Sequence, residues 1–280
     1  MTKRWMMGAA AAALTVATAV AAQAADLPTR KEAPAPVFVP PPFTWTGFYV
    51  GLNAGGVWSS GSRSATLIDP GALWLSNYWP GGIGNNNSGF IGGGQAGYNW
   101  QTGALVLGVE TDFDGTSLGK TFNYASAPFG SIVNGVAVPT AVLGDNLYVN
   151  AKANLSWIGT TRARVGFVAT PDNRLMFYGT GGIAYAGGSS NFNIYDATQG
   201  LYWSGSPSST RVGWTIGAGV EYALTNNWTI GAQYLYVDLG SKTINTIPNV
   251  AAATLLPNVY ATAKINYDAS IIRAEVNYKF

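Results

Sequence analysis

The residues that could carry out chemistry in this chain are few, and two types are missing altogether. The 280 residues include no histidine and no cysteine. Histidine is the commonest general base and metal ligand in proteins, and cysteine is an intrinsically strong nucleophile. A serine nucleophile would depend on a lysine or glutamate as its base, and no spacing in the sequence suggests such a pair. We therefore predict that the protein is not an enzyme and has no cofactor.

Two short motifs resemble ligand-binding loops but lack the required context. The run from Gly92 to Gly97 matches G-x-G-x-x-G, which binds dinucleotides only between a strand and a helix. Here the surrounding pattern is that of a continuous strand. Segment 110–115 resembles the start of a calcium-binding loop, but its twelfth position is Thr121 where a bidentate glutamate is required. Acidic residues that alternate along a strand and face its polar side are the simpler interpretation, with calcium near Asp114 as the alternative.

The elements that must position these residues are segments in which apolar and polar residues alternate. Eight such segments cover about residues 45–59, 88–100, 104–115, 155–169, 175–189, 210–223, 228–240 and 269–280. A period of two is typical of β-strands whose two faces meet different surroundings. Each segment is long enough to cross a membrane as a tilted strand, which takes about 9–11 residues.

The connections between these segments alternate strictly in length. Short turns lie at 101–103, 170–174 and 224–227, whereas the long connections are 60–87, 116–154, 190–209 and 241–268. Short periplasmic turns, long external loops and an even strand number are the arrangement of bacterial outer-membrane barrels. We predict an all-β, antiparallel, up-and-down transmembrane barrel of about eight strands. A hairpin hidden in 116–154, formed by 121–124 and 147–149, would raise the number to ten.

Composition and the N-terminus agree with an exported membrane protein. Only 10% of the residues are charged, whereas about a quarter is typical of soluble domains. Lys3 and Arg4 precede an uncharged, alanine-rich run that ends in an A-x-A site, so 1–24 is predicted to be a cleaved signal peptide, with a retained anchor helix as the alternative. Residues 25–44 are predicted to be a proline-rich periplasmic leader and 45–280 the barrel. Without the signal, thirteen basic residues accompany thirteen acidic ones. The sequence therefore has no basic patch of the kind that would indicate nucleic-acid binding.

Charged residues within the predicted strands fall on one face. In 210–223, Arg211 and Glu221 alternate out of phase with Trp214, and in the last segment Arg273 is out of phase with Ile272. This sorting is physically required, because an arginine facing lipid at mid-membrane would cost about 2–4 kcal/mol. The outer face thus has lipid as its partner, and the other face lines the interior.

The interior of an eight-stranded barrel is just wide enough to be filled by side chains. Counting from the short turns places three acidic and three basic residues at similar heights: Glu110, Asp112, Arg162, Arg164, Arg273 and Glu275. Buried charges are stable only when they are paired and hydrogen-bonded. We therefore predict a salt-bridge network that plugs the interior, with Asn53, Gln95 and Gln233 adding hydrogen bonds.

Several stretches resemble a known family. They are the leader ending AQAADLP, the first strand from Trp45 to Gly56, the second strand with 97–100, and the ending from Ile272 to Phe280. Together they look like the small outer-membrane porin-like, or outer-membrane immunogenic protein, family of alphaproteobacteria, whose barrels are OmpA-like. The resemblance covers essentially the whole chain. The ending Val276, Tyr278, Phe280 also looks like the C-terminal signal that the barrel-assembly machinery reads, the alternative being a closing strand that happens to end in an aromatic residue.

The resemblance implies an abundant envelope protein that contributes to membrane integrity and surface contacts. A small-solute channel is one alternative. Another is an adhesin or ligand-binding protein acting through exposed aromatic residues of two long loops: Trp74, Tyr78, Trp79, Tyr124 and Phe129. Some relatives have been described as haemin-binding, but in this chain haemin would find no histidine ligand.

Overall fold

The structure is a computed structural model that describes residues 42–59, 63–68, 87–125, 132–133, 136–137, 147–196, 199–206 and 208–280. The predicted signal peptide 1–24 and most of the predicted leader 25–44 lie outside the described residues, as do Trp74, Tyr78, Trp79 and Phe129. No helix in the described part of the chain is long and apolar enough to span a bilayer.

The described residues form fourteen strands and one short helix. In chain order the strands are β1 (Gly47–Ser59), β2 (Arg63–Ile68), β3 (Asn87–Thr102), β4 (Leu105–Thr116), β5 (Gly119–Ala125), β6 (Ile132–Val133), β7 (Val136–Ala137), β8 (Leu147–Val168), β9 (Leu175–Asp196), β10 (Leu201–Gly205), β11 (Ser208–Ala223), β12 (Trp228–Asn245), β13 (Ile247–Pro248) and β14 (Tyr260–Lys279). The helix α1 spans Val250–Leu255, with Asn249 as its N-cap.

Eight of these strands close into a ring in which all neighbours are antiparallel. The order is β1, β3, β4, β8, β9, β11, β12 and β14, and β14 returns to β1. Ala54 of β1, for example, lies opposite Gly92 on one side and Ala274 on the other. Each predicted segment overlaps one ring strand. The predicted eight-stranded antiparallel barrel is therefore confirmed.

Beyond the ring, the same wall continues on the side of the long connections. β8 and β9 each have 22 residues, about twice what a membrane crossing needs. β5 continues the line of β4 along β8, β2 continues β1 along β14, and β10 pairs with the end of β9. The connections expected as loops thus contain strands that extend the barrel outward, because their residues also alternate and bury one face.

The hairpin suggested within 116–154 does form, without changing the strand number. Tyr124 of β5 lies opposite Val149 of β8, as that alternative required. However, β4 and β5 pair with successive parts of the same edge of β8. β4 pairs with the part nearer the short turns, where Gly115 lies opposite Trp157, and β5 pairs with the part farther from them. Both strands therefore share one position around the ring, and the ring stays at eight.

The buried apolar side chains of the described residues form two clusters inside the barrel. The lower cluster lies near the short turns and consists of Phe43, Trp45, Val106, Val168, Met176, Tyr178 and Ala223. The upper cluster occupies the other end and the extension, and its members include Val57, Ile158, Leu235, Ile271, Phe192, Trp203 and Leu256. Between the clusters the buried side chains are polar or charged.

The outer face of the ring has the opposite character. Large apolar side chains point outward from all eight ring strands, among them Leu52, Phe90, Val109, Val165, Ile183, Val212, Ile230 and Ile272. Aqueous solvent would penalise such a surface, whereas the hydrocarbon of a bilayer does not. The sequence-based assignment of a lipid face and an inner face therefore matches the structure.

Glycines allow the strands to coil tightly where the interior is crowded. A Cβ atom on Gly55 would lie 2.0 Å from the carbonyl oxygen of Ile272, and one on Gly93 would lie 2.1 Å from that of Phe113. No such contact exists at the neighbouring Gly56. The G-x-G-x-x-G run 92–97 lies within β3, where Gly93 and Gly97 are closely packed and Gly94 is not.

Candidate functional site: the filled interior of the barrel

The charged layer of the interior forms because side chains alternate between the two faces of each ring strand. β4 contributes three inward carboxylates at every second position, Glu110, Asp112 and Asp114. β8 contributes Arg162 and Arg164, with Arg162 directly opposite Glu110 in the strand register. Because these strands are neighbours, opposite charges meet without any change of backbone conformation.

Arg162 links two acidic residues of β4. Its guanidinium forms salt bridges with Glu110 and, at 2.7 Å, with Asp112. It also donates a hydrogen bond of 2.9 Å to the amide oxygen of Gln233 on β12. All these side chains are buried, so the attraction is only weakly screened.

Arg164 reaches across the lumen in several directions. Its Nη1 lies 2.9 Å from Glu110 Oε2 and 2.6 Å from the Tyr49 hydroxyl, and its Nη2 lies 2.8 Å from Glu221 Oε2. Its guanidinium carbon lies 3.9 Å from the ring centroid of Tyr178, a cation–π contact. β1, β4, β9 and β11 are thus joined through one side chain.

Arg273 of β14 connects to the upper end of β4. Its Nη1 lies 2.6 Å from Asp114 Oδ2, and its Nη2 lies 2.8 Å from Asp112 Oδ2. The same guanidinium donates to Gln233, which Arg162 also uses. Asp114 is therefore buried and bound by an arginine inside the barrel, an arrangement that differs from the alternative of a calcium ligand at the rim.

Glu275 differs from the other predicted acidic residues because, among the described residues, hydrogen bonds and no salt bridge hold it. The Tyr178 hydroxyl donates to Glu275 Oε1 at 2.9 Å, and Gln95 Nε2 donates to Oε2 at 3.1 Å. Gln95 in turn receives a hydrogen bond of 3.2 Å from Asn53. All three polar residues expected to add hydrogen bonds, Asn53, Gln95 and Gln233, lie in this layer.

Glu221 and Asp114 belong to the charged layer although the predicted set omits them. Glu221 pairs with Arg164 and receives a hydrogen bond of 2.9 Å from Asn277. The inward position of Glu221 follows from the alternation in 210–223, but its height depends on the stagger between strands. Among the described residues, the charged layer therefore contains five carboxyl groups and three guanidinium groups, and the expected balance of three and three is wrong.

The end of the barrel near the short turns is filled by Phe43 and Trp45, here called the apolar stopper. Trp45 is 2% exposed, its backbone N–H donates to Gln101 at 2.8 Å, and its indole N–H donates to the Asn173 carbonyl at 2.8 Å. Phe43 packs edge-on against Trp45 with ring centroids 5.0 Å apart, and Lys279 Nζ lies 4.8 Å from the Phe43 centroid. Phe43 thus belongs to the barrel and not to the predicted leader 25–44.

The turn 170–174 presents the carbonyl that Trp45 uses. Asn173 adopts a positive φ of 61°, a conformation that asparagine tolerates better than most residues. Thr170 accepts hydrogen bonds from the backbone N–H groups of Arg174 and Leu175. The Thr170 hydroxyl also holds the pKa of the exposed Asp172 carboxyl below its usual value.

The last strand presents the predicted assembly signal on the outer face. Val276 is exposed on the lipid side, Tyr278 packs edge-on against Trp228 with centroids 5.1 Å apart, and Phe280 is 68% exposed. The backbone N–H of Phe280 donates to the Phe48 carbonyl at 3.0 Å. These positions leave the stripe accessible from outside, while its recognition stays a prediction.

Tyr124 does not lie on an exposed loop as expected. It is on β5, half-buried, and packs against the upper cluster. Its ring stacks on that of Phe122 with centroids 6.5 Å apart. The alternation along β5 turns both rings toward the interior of the extension.

These features together define a class of protein. A closed ring of eight antiparallel strands, with an apolar outer face, a polar interior and short turns at one end, is the structure of an integral outer-membrane β-barrel.

The comparisons with known proteins give the family. The chain belongs to the outer membrane protein beta-barrel domain family, whose sequence profile matches residues 9–280. The 31 kDa outer-membrane immunogenic protein of Brucella melitensis biotype 1 is 37% identical over 272 residues, which is 96% of this chain and 98% of that protein. The 22 kDa outer membrane protein of Rhizobium leguminosarum bv. viciae is 33% identical over 185 residues, covering 62% of this chain and 69% of that one. The solved structure of OprG from Pseudomonas aeruginosa matches at 14% identity and a TM-score of 0.43, over 85% of this chain and 98% of that chain. The predicted family and outer-membrane location are confirmed.

Proposed function

We propose that the protein is a closed structural barrel of the outer membrane, with a plugged lumen and an external surface that makes contacts. The observation that supports closure is that side chains bridge strands on different sides of the ring. Arg164 of β8 bonds to Tyr49 of β1, and Arg273 of β14 bonds to Asp114 of β4. In each case the partners are three positions apart around a ring of eight, so the bonds cross the lumen.

The charged layer is also covered from both ends. The stopper formed by Phe43 and Trp45 lies below it, and buried apolar residues such as Leu235 and Ile271 lie above it. An ion passing through would have to displace paired charges and shed water within a dry core, which costs several kcal/mol per buried ion. The apolar residues that cover the charged layer at both ends favour a structural role over the alternative of a small-solute channel.

Conductance across a planar bilayer tests the proposal. We expect purified protein to give no steady current and no liposome swelling in small sugars. Insertion must be verified in the same preparation by protease protection and by the heat-dependent shift in electrophoretic mobility that folded barrels show. Inserted protein with a steady single-channel step would contradict the plugged lumen.

A surface-contact role is the second candidate, and a specific feature of the extension favours it. Val250 and Ile247 are 84% and 73% exposed, and Tyr202 beside them is half-exposed. Asn249 holds this tip together, because its backbone N–H donates to the Tyr202 carbonyl at 2.8 Å. Exposed apolar and aromatic side chains on a rigid support are typical of contact sites.

The relatives named immunogenic proteins fit a surface-exposed role for this chain as well. A strain carrying Ile247→Ser with Val250→Ser should bind host cells or extracellular matrix less well than the wild type, with equal amounts of protein in the outer membrane. Unchanged binding would contradict a role of this tip in contacts with host cells or matrix. Haemin binding is tested separately by absorbance titration of the purified protein, which we expect to show no saturable complex.

A further inference from the structure

A recess opens in the outer wall of the barrel where β4 gives way to β5. β4 pairs with β8 up to Gly115, opposite Trp157, and β5 takes over at Gly119, opposite Asn154. β8 carries a bulge at the same level, between Leu155 and Trp157. The mismatch leaves a recess of about 360 Å³, here called the rim recess, lined by Thr116, Ser117, Leu118, Gly119, Thr121, Asn154, Leu155 and Ser156.

The rim recess faces outward, not into the lumen. Leu118 and Leu155 are buried toward the upper cluster. The exposed side chains of Thr121 on β5 and Ser156 on β8 lie on the opposite face, and the exposed Ser117 lies in the connection between β4 and β5. A molecule in the membrane or just above it can therefore enter the recess without entering the barrel.

The height of the rim recess corresponds to the outer boundary of the bilayer. An apolar band of about 25 Å takes about ten residues of a strand tilted by about 40°. On β4 this span runs from Leu105 at the short turn to Gly115, just below the recess. Phe113, Trp157 and Tyr185 form an aromatic cluster at this level, with centroid distances of 5.3 Å and 6.3 Å. Aromatic residues of this kind mark the membrane interface.

The chemistry of the lining is that of hydroxyl and amide groups. The side chains of Thr121, Asn154 and Ser156 make no hydrogen bond within the part of the chain that the structure describes. They can therefore donate to and accept from a ligand that carries many hydroxyl groups. The described lining residues include no charged side chain, so the lining itself suits neutral groups and not a phosphate.

We propose that the rim recess binds the sugar headgroup of an outer-leaflet glycolipid, with its hydroxyls bonded to Thr121, Asn154 and Ser156 and its acyl chains lying along the aromatic cluster below. A soluble saccharide presents the same chemistry, and the experiment separates the two sources. A second outward recess, between β12 and β14, has acidic residues Asp238 and Asp268 in its lining and provides an internal control.

The test is a binding assay on the purified, folded protein in detergent. The probes are a lipopolysaccharide with its core sugars, the free oligosaccharide released from it, and phosphatidylglycerol, which carries no sugar. Ser156→Phe fills the rim recess, Ser156→Ala removes one hydroxyl, and Ser241→Phe fills the control recess. Folding of each variant is checked by the heat-dependent mobility shift, and Ser156→Ala keeps the test valid if the larger residue prevents folding.

We expect Ser156→Phe to weaken lipopolysaccharide binding at least tenfold, Ser156→Ala to weaken it by a smaller factor, and Ser241→Phe to leave it unchanged. Saturable binding of the free oligosaccharide would support sugar recognition and, if as tight as the intact glycolipid, would indicate a soluble ligand. Equal binding by wild type and by the Ser156 variants would overturn the proposal, as would equal affinity for phosphatidylglycerol or no lipopolysaccharide binding at all.

Discussion

Replacing Arg164 with alanine should destabilise the folded barrel by about 3–5 kcal/mol, the cost of removing one partner from a buried ion pair. The guanidinium of Arg164 carries salt bridges to Glu110 and Glu221 and lies over the ring of Tyr178. It is buried, so water cannot replace these contacts without opening the barrel.

The two carboxylates would be affected unequally by this substitution. Glu110 keeps its salt bridge to Arg162. Glu221 keeps hydrogen bonds from Thr229 and Asn277 but loses the one salt bridge that the described residues provide. The predicted loss therefore arises mainly from a buried Glu221 charge without a cation. Combining Arg164→Met with Glu221→Gln should be less destabilising than Arg164→Ala alone, because no unpaired charge is then left in the core.

Urea unfolding in detergent micelles, followed by tryptophan fluorescence, measures the effect. With a slope of about 1–3 kcal/mol per molar urea, a loss of this size lowers the unfolding midpoint by about 1 M or more. The matched control is Lys264→Ala on the exposed face of β14, which should change stability by less than about 0.5 kcal/mol. If Arg164→Ala unfolds at the wild-type midpoint with the same slope, the charged layer does not hold the barrel together.

Three further predictions concern closure, strand packing and assembly. Trp45→Ala should cost about 3–5 kcal/mol in the same unfolding assay through loss of the buried stopper, yet bilayer recordings should stay silent because the charged layer remains. Gly55→Ala should prevent folding, seen as loss of the heat-dependent mobility shift, since its Cβ would lie 2.0 Å from a backbone oxygen, whereas Gly56→Ala should fold normally. Phe280→Ser should lower the amount of protein in the outer-membrane fraction, and wild-type amounts would argue against an assembly signal.

Much of the fold could be predicted from alternation alone. In 210–223, placing Trp214 outward and Glu221 inward required only the period of two, and the structure has both as expected. The three short turns predicted which strands pair, because two strands joined by only three to five residues must be antiparallel neighbours. Local pattern was sufficient here because a membrane strand has two faces in contrasting solvents.

The contacts in the interior could be predicted only in part. That Arg162 faces Glu110 follows once β4 and β8 are neighbours, but that Arg273 reaches Asp114 depends on the stagger accumulated over three strands around the ring. Glu221 was missing from the predicted layer for this reason. Phe43 was not predicted to be part of the barrel, because nothing in a proline-rich stretch indicates that its end packs inside the barrel.

The sequence by itself determined which side of each strand faces lipid and which faces the interior, because side chains alternate strictly along an extended backbone. It likewise determined the family and the outer-membrane location. Only the tertiary structure decided which inward side chains meet across the lumen, that four described carboxyl groups share three guanidinium groups while Glu275 is held by hydrogen bonds, and that the wall continues beyond the membrane. The physical reason is that ring closure sets a register among all eight strands at once, and no single strand contains that information.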